Sequence, residues 1–380
     1  MMGSAGEDVR WTLRSDAAEV AVSEEGGALF PARFRVGGVG GRWVQPLHAA
    51  PWSEDPHPPG TPRVASHLRG DFFCLPFGGP EAHGPTASGR WAEVAHESEG
   101  AEAGLTCRMR VGTGEVEKRV HLRPGHAVVY QRHRVRGLAG PQSFGHHAML
   151  ACHAHGRARV SLSPFVHGRV LPEPLEVPPR GRSALAPGAA FDSLAAVPLA
   201  GGGVTDAGAY PARAGAEDLL QVFSDPAGPG AEAAGPGVAW SCVAFPDAGF
   251  AWFSLREPRV LTGTVLWFSN GGRLYPPWSG RHRGVLGVED VTSLFNAGRG
   301  PSAAPNAATR AGLTTALPCP LEVRYAFGVF TLPPGAEAVR SITPAPEGGR
   351  VEAELDTGER VHVPVDVGFL RAGQEPRPRG

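Results

Sequence analysis

Residues 104 to 137 read GLTCRMRVGTGEVEKRVHLRPGHAVVYQRHRVRG. Three runs that alternate apolar with polar side chains are separated by Gly-Thr-Gly and by Arg-Pro-Gly. Alternation of period two marks a strand with one face buried, because successive Cβ atoms point to opposite sides of a sheet. Glycine or Pro-Gly between two such runs supplies a hairpin turn. The stretch therefore predicts a three-stranded antiparallel meander.

The same period recurs outward from it, in VRWTLRS (9–15), ALFPARFRV (28–36), WAEVAHE (91–97), FGHHAMLAC (144–152), RARVSLS (157–163), VAWSCVAF (238–245), GFAWFSLRE (249–257), VLTGTVLWFS (260–269), LEVRYAFGVF (321–330), GRVEAEL (349–355) and ERVHVPV (359–365). Long stretches of helical period are missing, and two short helices are predicted, at Glu217–Val222 and Val291–Asn296. Many short strands with turn residues between them predict an all-β fold, a large antiparallel sandwich forming a single domain over residues 1–380. Residues 171–237, including LPEPLEVPPRGRSALAPG and DPAGPGAEAAGPG, show no sustained period and are expected to form an irregular insertion.

Composition narrows the partners. The chain has 53 glycines and 38 prolines, but 42% of its residues are hydrophobic, so it can bury a core and place its Gly and Pro in turns. A formal net charge of -1 gives no global attraction to nucleic acid or to anionic lipid, and a small-molecule ligand is expected. The five cysteines (Cys74, Cys107, Cys152, Cys242, Cys319) include no CxxC pair, which argues against a disulfide framework or zinc ribbon and for a reducing compartment. MMGSAGEDVRWTLRSD has no basic segment followed by an apolar one, and no run of about 18 apolar residues occurs. A soluble, cytoplasmic protein without membrane contact is expected.

Three stretches concentrate chemistry. HLRGDFFCLPFGGPEAHGPTASGRW (67–91) gathers Arg69, Asp71, His83, Arg90 and Trp91 among aromatics and glycines, a composition suited to a site where polar tips converge on a ligand. FGHHAMLACHAH (144–155) holds four histidines. On one continuous strand, His147, Met149, Ala151, His153 and His155 share a face, with His146, Ala148, Leu150 and Cys152 on the other. His153 and His155 could chelate a metal together with His147, yet GRARVSLSPF after them offers no carboxylate to complete the site. YPPWSGRHRGVLGVEDVTSLFNAG (275–298) has Asp290 where a helix N-cap is expected, and it places Glu289 at a strand end, where partial burial can raise a carboxyl pKa toward that of a base. No G-x-S-x-G, phosphate loop or dinucleotide fingerprint is present.

Taken in order, His83-Gly84 with Trp91, His146-His147 and Gly287-Val288-Glu289 resemble the galactose mutarotase family over roughly residues 8–335. The family's asparagine–histidine pair reads His146-His147 here, and RGD (69–71) stands near where its asparagine–arginine element would be. The resemblance implies a β-supersandwich with a sugar-binding face, acting as an aldose 1-epimerase without a cofactor. It implies Glu289 as base and His147 as acid on opposite sides of a sugar, with Arg69, Asp71, His83, Trp91 and Trp278 as substrate contacts. A phosphorylated sugar would call on Arg69, Arg90, Arg281 or Arg283. The alternatives are a sugar-binding module without turnover, and a metal-dependent enzyme using His147, His153 and His155.

Overall fold

The computed structural model describes residues 10–38, 40–99, 103–226 and 237–371. The N-terminal reading up to Val9, and residues 227–236 of the insertion, lie outside the described residues.

Two large antiparallel sheets face each other. The first runs, in spatial order, through Arg10–Arg14, Ala18–Ser23, Leu29–Val36, Asp71–Cys74, Phe144–Leu150, Val285–Thr292, Gly263–Ser269, Glu217–Ser224, Phe165–Val170 and Ala190–Phe191, with Arg42–Val44 beside Leu29–Val36. The second runs through Ala209–Tyr210, Ala158–Leu162, Ala239–Phe245, Phe250–Arg256, Leu321–Thr331, Val128–Arg136, Gly114–Leu122, Gly104–Val111 and Ala92–Glu97. The predicted meander occupies one end of this second sheet, and Gly112 turns its first hairpin at φ +55°, a conformation that favours glycine.

Alternation sorts each central strand between two cores. On Val285–Thr292, Leu286 and Val288 join the core between the sheets, while Val285 and Val291 face the opposite side of the first sheet with Phe72, Trp52, Trp267 and Trp278. The second sheet is covered on its own outer face by a three-stranded sheet, Val339–Pro344, Arg350–Leu355 and Arg360–Pro364, which packs Ile342, Val351 and Ala353 against Trp240 and Phe253. The fold is thus all-β and sandwich-like, as the periodicity predicts.

Neither predicted helix forms: the first is a strand, and the second is the end of a strand followed by a turn. Glu217–Ser224 is a central strand paired on both sides, and all its residues are buried. A strand buried on both faces loses its alternation, so its period cannot separate it from a buried helix. Val285–Thr292 runs straight through the predicted start of the second helix, so Asp290 is a mid-strand residue and not an N-cap, and Glu289 lies inside the strand instead of at its end. The predicted insertion is ordered over much of its described length, with short strands at Val197–Pro198, Val204–Thr205 and Ala209–Tyr210. Among the described residues, no helix is long and apolar enough to cross a membrane.

Candidate active site

The outer face of the first sheet carries a cavity of about 460 Å³, within the range of small-molecule sites. Its floor is set by strand register. Ala148 pairs with Val288, which puts His147 opposite Glu289 on neighbouring antiparallel strands, both pointing into the cavity. His147 Nε2 and Glu289 Oε1 are 3.3 Å apart. Gly287 makes the room: a Cβ there would stand 2.7 Å from Glu289 Oε1 and 3.0 Å from Trp267 Cβ. The His147 ring stacks on Phe72 at 4.7 Å and meets His83 edge-on at 5.0 Å.

Burial governs the ionisation of this pair. It pushes the Glu289 carboxyl well above its usual range, opposed by the Arg273 charge. Burial, with the neighbouring His83, holds His147 well below the usual histidine value. Both shifts act in the same sense, favouring a protonated carboxyl beside an unprotonated Nε2.

His83 also lines the cavity, and its backbone is left-handed at φ +73°. Its Nδ1 accepts from the Gly78 N–H at 3.2 Å, and burial lowers its pKa to about 4. The neutral ring therefore carries its proton on Nε2 and presents a donor. Trp278 lines the cavity.

Several predicted residues lie elsewhere. Asp71 is not in the cavity: Phe72 faces it, so its neighbour turns into the sandwich, where Asp71 accepts from Gln131 Nε2 at 2.6 Å and His146 Nδ1 at 3.1 Å. Arg69 does not line the cavity; it is buried beside Ser23, donating to the Ser23 hydroxyl at 2.8 Å. Trp91 belongs to the core between the sheets, with Nε1 donating to the Thr86 carbonyl at 3.1 Å and its ring near the buried ammonium of Lys118. His153 and His155 sit on the short helix Cys152–His155, because the strand ends at Leu150, and the shared face predicted for them stops there. His153 packs on His48, and His155 Nε2 meets the Gln45 carbonyl at 2.9 Å, so neither approaches His147. Among the described residues, no group of three or more His, Cys, Asp or Glu side chains is placed to hold a metal ion.

Of the predicted arginines, Arg90 pairs with Glu24 on the surface, Arg281 with Asp55, and Arg283 donates to the Gly280 carbonyl. The cavity is instead lined by Arg180 and Arg273, neither singled out from the sequence, with Trp267, Leu219, Tyr275 and Asn296. Arg273 lies over the faces of Trp278 (4.4 Å) and Trp267 (5.3 Å), and its Nε donates to Glu176 Oε1 at 2.9 Å. Beneath it Glu217 accepts from Trp267 Nε1 and Ser269 Oγ, and burial raises its pKa to about 7. The one sequence signal for this half of the site is aromatic: Trp267 and Tyr275 flank Arg273 closely in the chain.

No protein-family model matches the sequence, and no curated protein matches it. Solved structures do. A candidate aldose 1-epimerase of Escherichia coli K12 shares 13% identity, with 85% of this chain and 99% of that one covered at a TM-score of 0.54. The GalM/aldose epimerase homologue of C. elegans shares 10% identity over 86% and 100% of the two chains, TM-score 0.52. A galactose mutarotase related enzyme of Lactobacillus acidophilus shares 10% over 84% and 97%, TM-score 0.51. The chain has the galactose mutarotase-like fold.

Proposed function

We propose that the protein is an aldose 1-epimerase-like isomerase that binds a sugar in this cavity and interconverts its anomers through Glu289 and His147. The observation that carries the reading is the 3.3 Å contact of a buried imidazole and a buried carboxyl at a cavity floor. A pair this close cannot hold a sugar ring between its members, as the resemblance implies. It can meet O1 and O5 together, because both oxygens are bonded to C1.

Ring opening moves one proton off O1 and one onto O5. From a protonated carboxyl beside an unprotonated Nε2, His147 Nε2 takes the O1 proton and the Glu289 carboxyl gives its proton to O5. The C1–O5 bond breaks as the C1–O1 double bond forms. These roles are the reverse of those the resemblance implies; the raised Glu289 pKa and the lowered His147 pKa support the exchange. Rotation about C1–C2 and reversal of both transfers closes the other anomer and restores the pair. A cytoplasmic site of action is part of the proposal, supported by five unpaired cysteines.

The test is an NMR exchange or polarimetric assay of anomer interconversion over free and phosphorylated aldoses, comparing wild type with Glu289→Gln. Loss of an acid/base group lowers the rate about 10²- to 10⁴-fold. Equal rates for both proteins on every sugar identify a binding module without turnover.

A further inference from the structure

We propose that Arg273 is the residue that holds the sugar, its two Nη groups donating to hydroxyls of an uncharged aldose, with Glu176 as the positioning residue that aims it. The proposal rests on the sugar-binding reading above.

Arg273 lines the same cavity as the Glu289–His147 pair and is fixed from three sides. The Trp278 and Trp267 rings flank its guanidinium at 4.4 and 5.3 Å, and its Nε donates to Glu176 Oε1. That oxygen also accepts from Tyr275 Oη at 2.7 Å. Among the described residues neither Nη atom has a hydrogen-bond partner, and the nearest further carboxylate, Glu217, is 4.0 Å from Nε as well. A guanidinium has five N–H donors in a rigid plane. Here one is used, and the four on the Nη atoms remain for a ligand, pre-oriented by two indoles.

The charge around Arg273 favours an uncharged group at this residue. Glu176 neutralises Arg273 directly, and Glu217 lies close behind it. An anionic substituent would therefore gain little from this arginine, and would lie near both carboxylates. Hydroxyls need aligned donors without net charge, and a pyranose presents them in neighbouring pairs.

Glu176 gives the insertion a purpose. It lies in the Pro-rich segment that the sequence left irregular, and that segment is laced to the Arg273 loop. Gly181 bridges to Arg273, and the Arg182 N–H donates to the Gly272 carbonyl at 3.1 Å. Glu176 is itself held through its N–H, which donates to Ser183 Oγ at 3.0 Å, while that hydroxyl donates to the Glu217 carbonyl at 2.7 Å. The insertion thus aims a side chain 97 positions away.

The test measures binding of D-glucose and D-galactose by tryptophan fluorescence, since Trp267 and Trp278 flank Arg273, alongside KM and kcat for anomer exchange. Arg273→Gln is expected to weaken binding about 10- to 100-fold, the scale of lost hydrogen bonds from a charged group. Arg273→Lys keeps the charge without the fork and should recover kcat more than KM. Glu176→Gln, which leaves the sugar-contacting atoms in place, should raise KM in the same direction by a smaller factor while leaving kcat near wild type. If Arg273→Gln does not fold, the Glu176→Gln and Arg273→Lys splits carry the test. Wild-type affinity and KM in these variants, with turnover still lost in Glu289→Gln, would overturn the proposal and leave the epimerase reading standing. Tighter binding of the 6-phosphates than of the free sugars, lost with Arg273, would overturn the uncharged class. A wild-type protein that neither binds nor converts any aldose overturns both readings together.

Discussion

Asp71→Ala separates the two places this residue could occupy, a sugar site or the interior of the sandwich. The carboxylate is fully buried between the sheets; its Oδ2 accepts from Gln131 Nε2 at 2.6 Å and from His146 Nδ1 at 3.1 Å. Removal leaves two buried donors unpaired and takes away a charge that faces the buried Lys118. Each hydrogen bond to a charged group contributes about 1.5–3 kcal/mol, so two give about 3–6 kcal/mol. Breaking a buried pair by removing one partner costs about 3–5 kcal/mol, and the two ranges overlap at about 3–5. With a urea slope of about 3 kcal/mol/M for a large domain, the midpoint should fall by about 1–2 M. Burial acts to raise the Asp71 pKa, but His146, Gln131 and Lys118 outweigh it and hold the folded value below 3.8. The lowered folded pKa means the contribution is present above the unfolded value and is lost as pH falls through the folded one. The gap between variant and wild type should therefore be full near neutrality and close only below about pH 3.8. Sugar affinity of the folded variant should stay at the wild-type value. Urea melts and a binding titration on the same samples decide it: an unchanged midpoint together with lost affinity would return Asp71 to the sugar site.

Gly287→Ala should lower kcat sharply at a modest stability cost of about 1–3 kcal/mol, since its Cβ would meet Glu289 Oε1 at 2.7 Å and displace it from His147; wild-type turnover would show that the carboxyl does not need its present seat. Glu217 has a folded pKa raised by burial from 4.5 to about 7 against the opposing Arg273, Ser269 and Trp267, so its contribution to stability is complete below about 4.5 and lost as pH rises through about 7. Glu217→Gln should remove that decline, about 3 kcal/mol over the interval, and parallel pH–stability curves for the two proteins would contradict it. Trp91→Phe loses the bond to the Thr86 carbonyl, at about 1 kcal/mol, and leaves sugar affinity untouched; a weakened titration would put Trp91 back in the site.

The parts legible in the sequence are those where one face of a strand is wet or lies against the other sheet. The meander shows its period because its outward side chains, such as Glu115 and Arg119, are exposed. The face of His147 follows from strand alternation alone, although Phe144–Leu150 is buried on both sides, and the rule stops at Leu150 with the strand. Glu217–Ser224 was not readable, since both of its faces are buried. Asp71 was misplaced because DFFC is a four-residue strand without visible alternation; once Phe72 is known to face His147, the inward turn of Asp71 follows. Arg273 left only the aromatics near it in the chain as a signal and Glu176 left none, because their contact is made by the insertion folding back over the sheet.

Both members of the reactive pair have a polar neighbour in the chain, and alternation sends that neighbour the other way. His146 backs His147 and pairs with Asp71 inside the sandwich. Asp290 backs Glu289, accepting from Ser241 Oγ, Ser254 Oγ and Thr264 Oγ1 and pairing with Arg256 at 2.8 Å. Buried charges of this kind add little net stability when compared with apolar residues, but losing their partners is costly. A slip of one residue in either strand would carry His146 or Asp290 into the cavity and drive His147 or Glu289 into the interior without partners. The interior networks therefore act on the site through register: they favour the arrangement with His147 and Glu289 outward, in which Asp71 and Asp290 keep their buried partners.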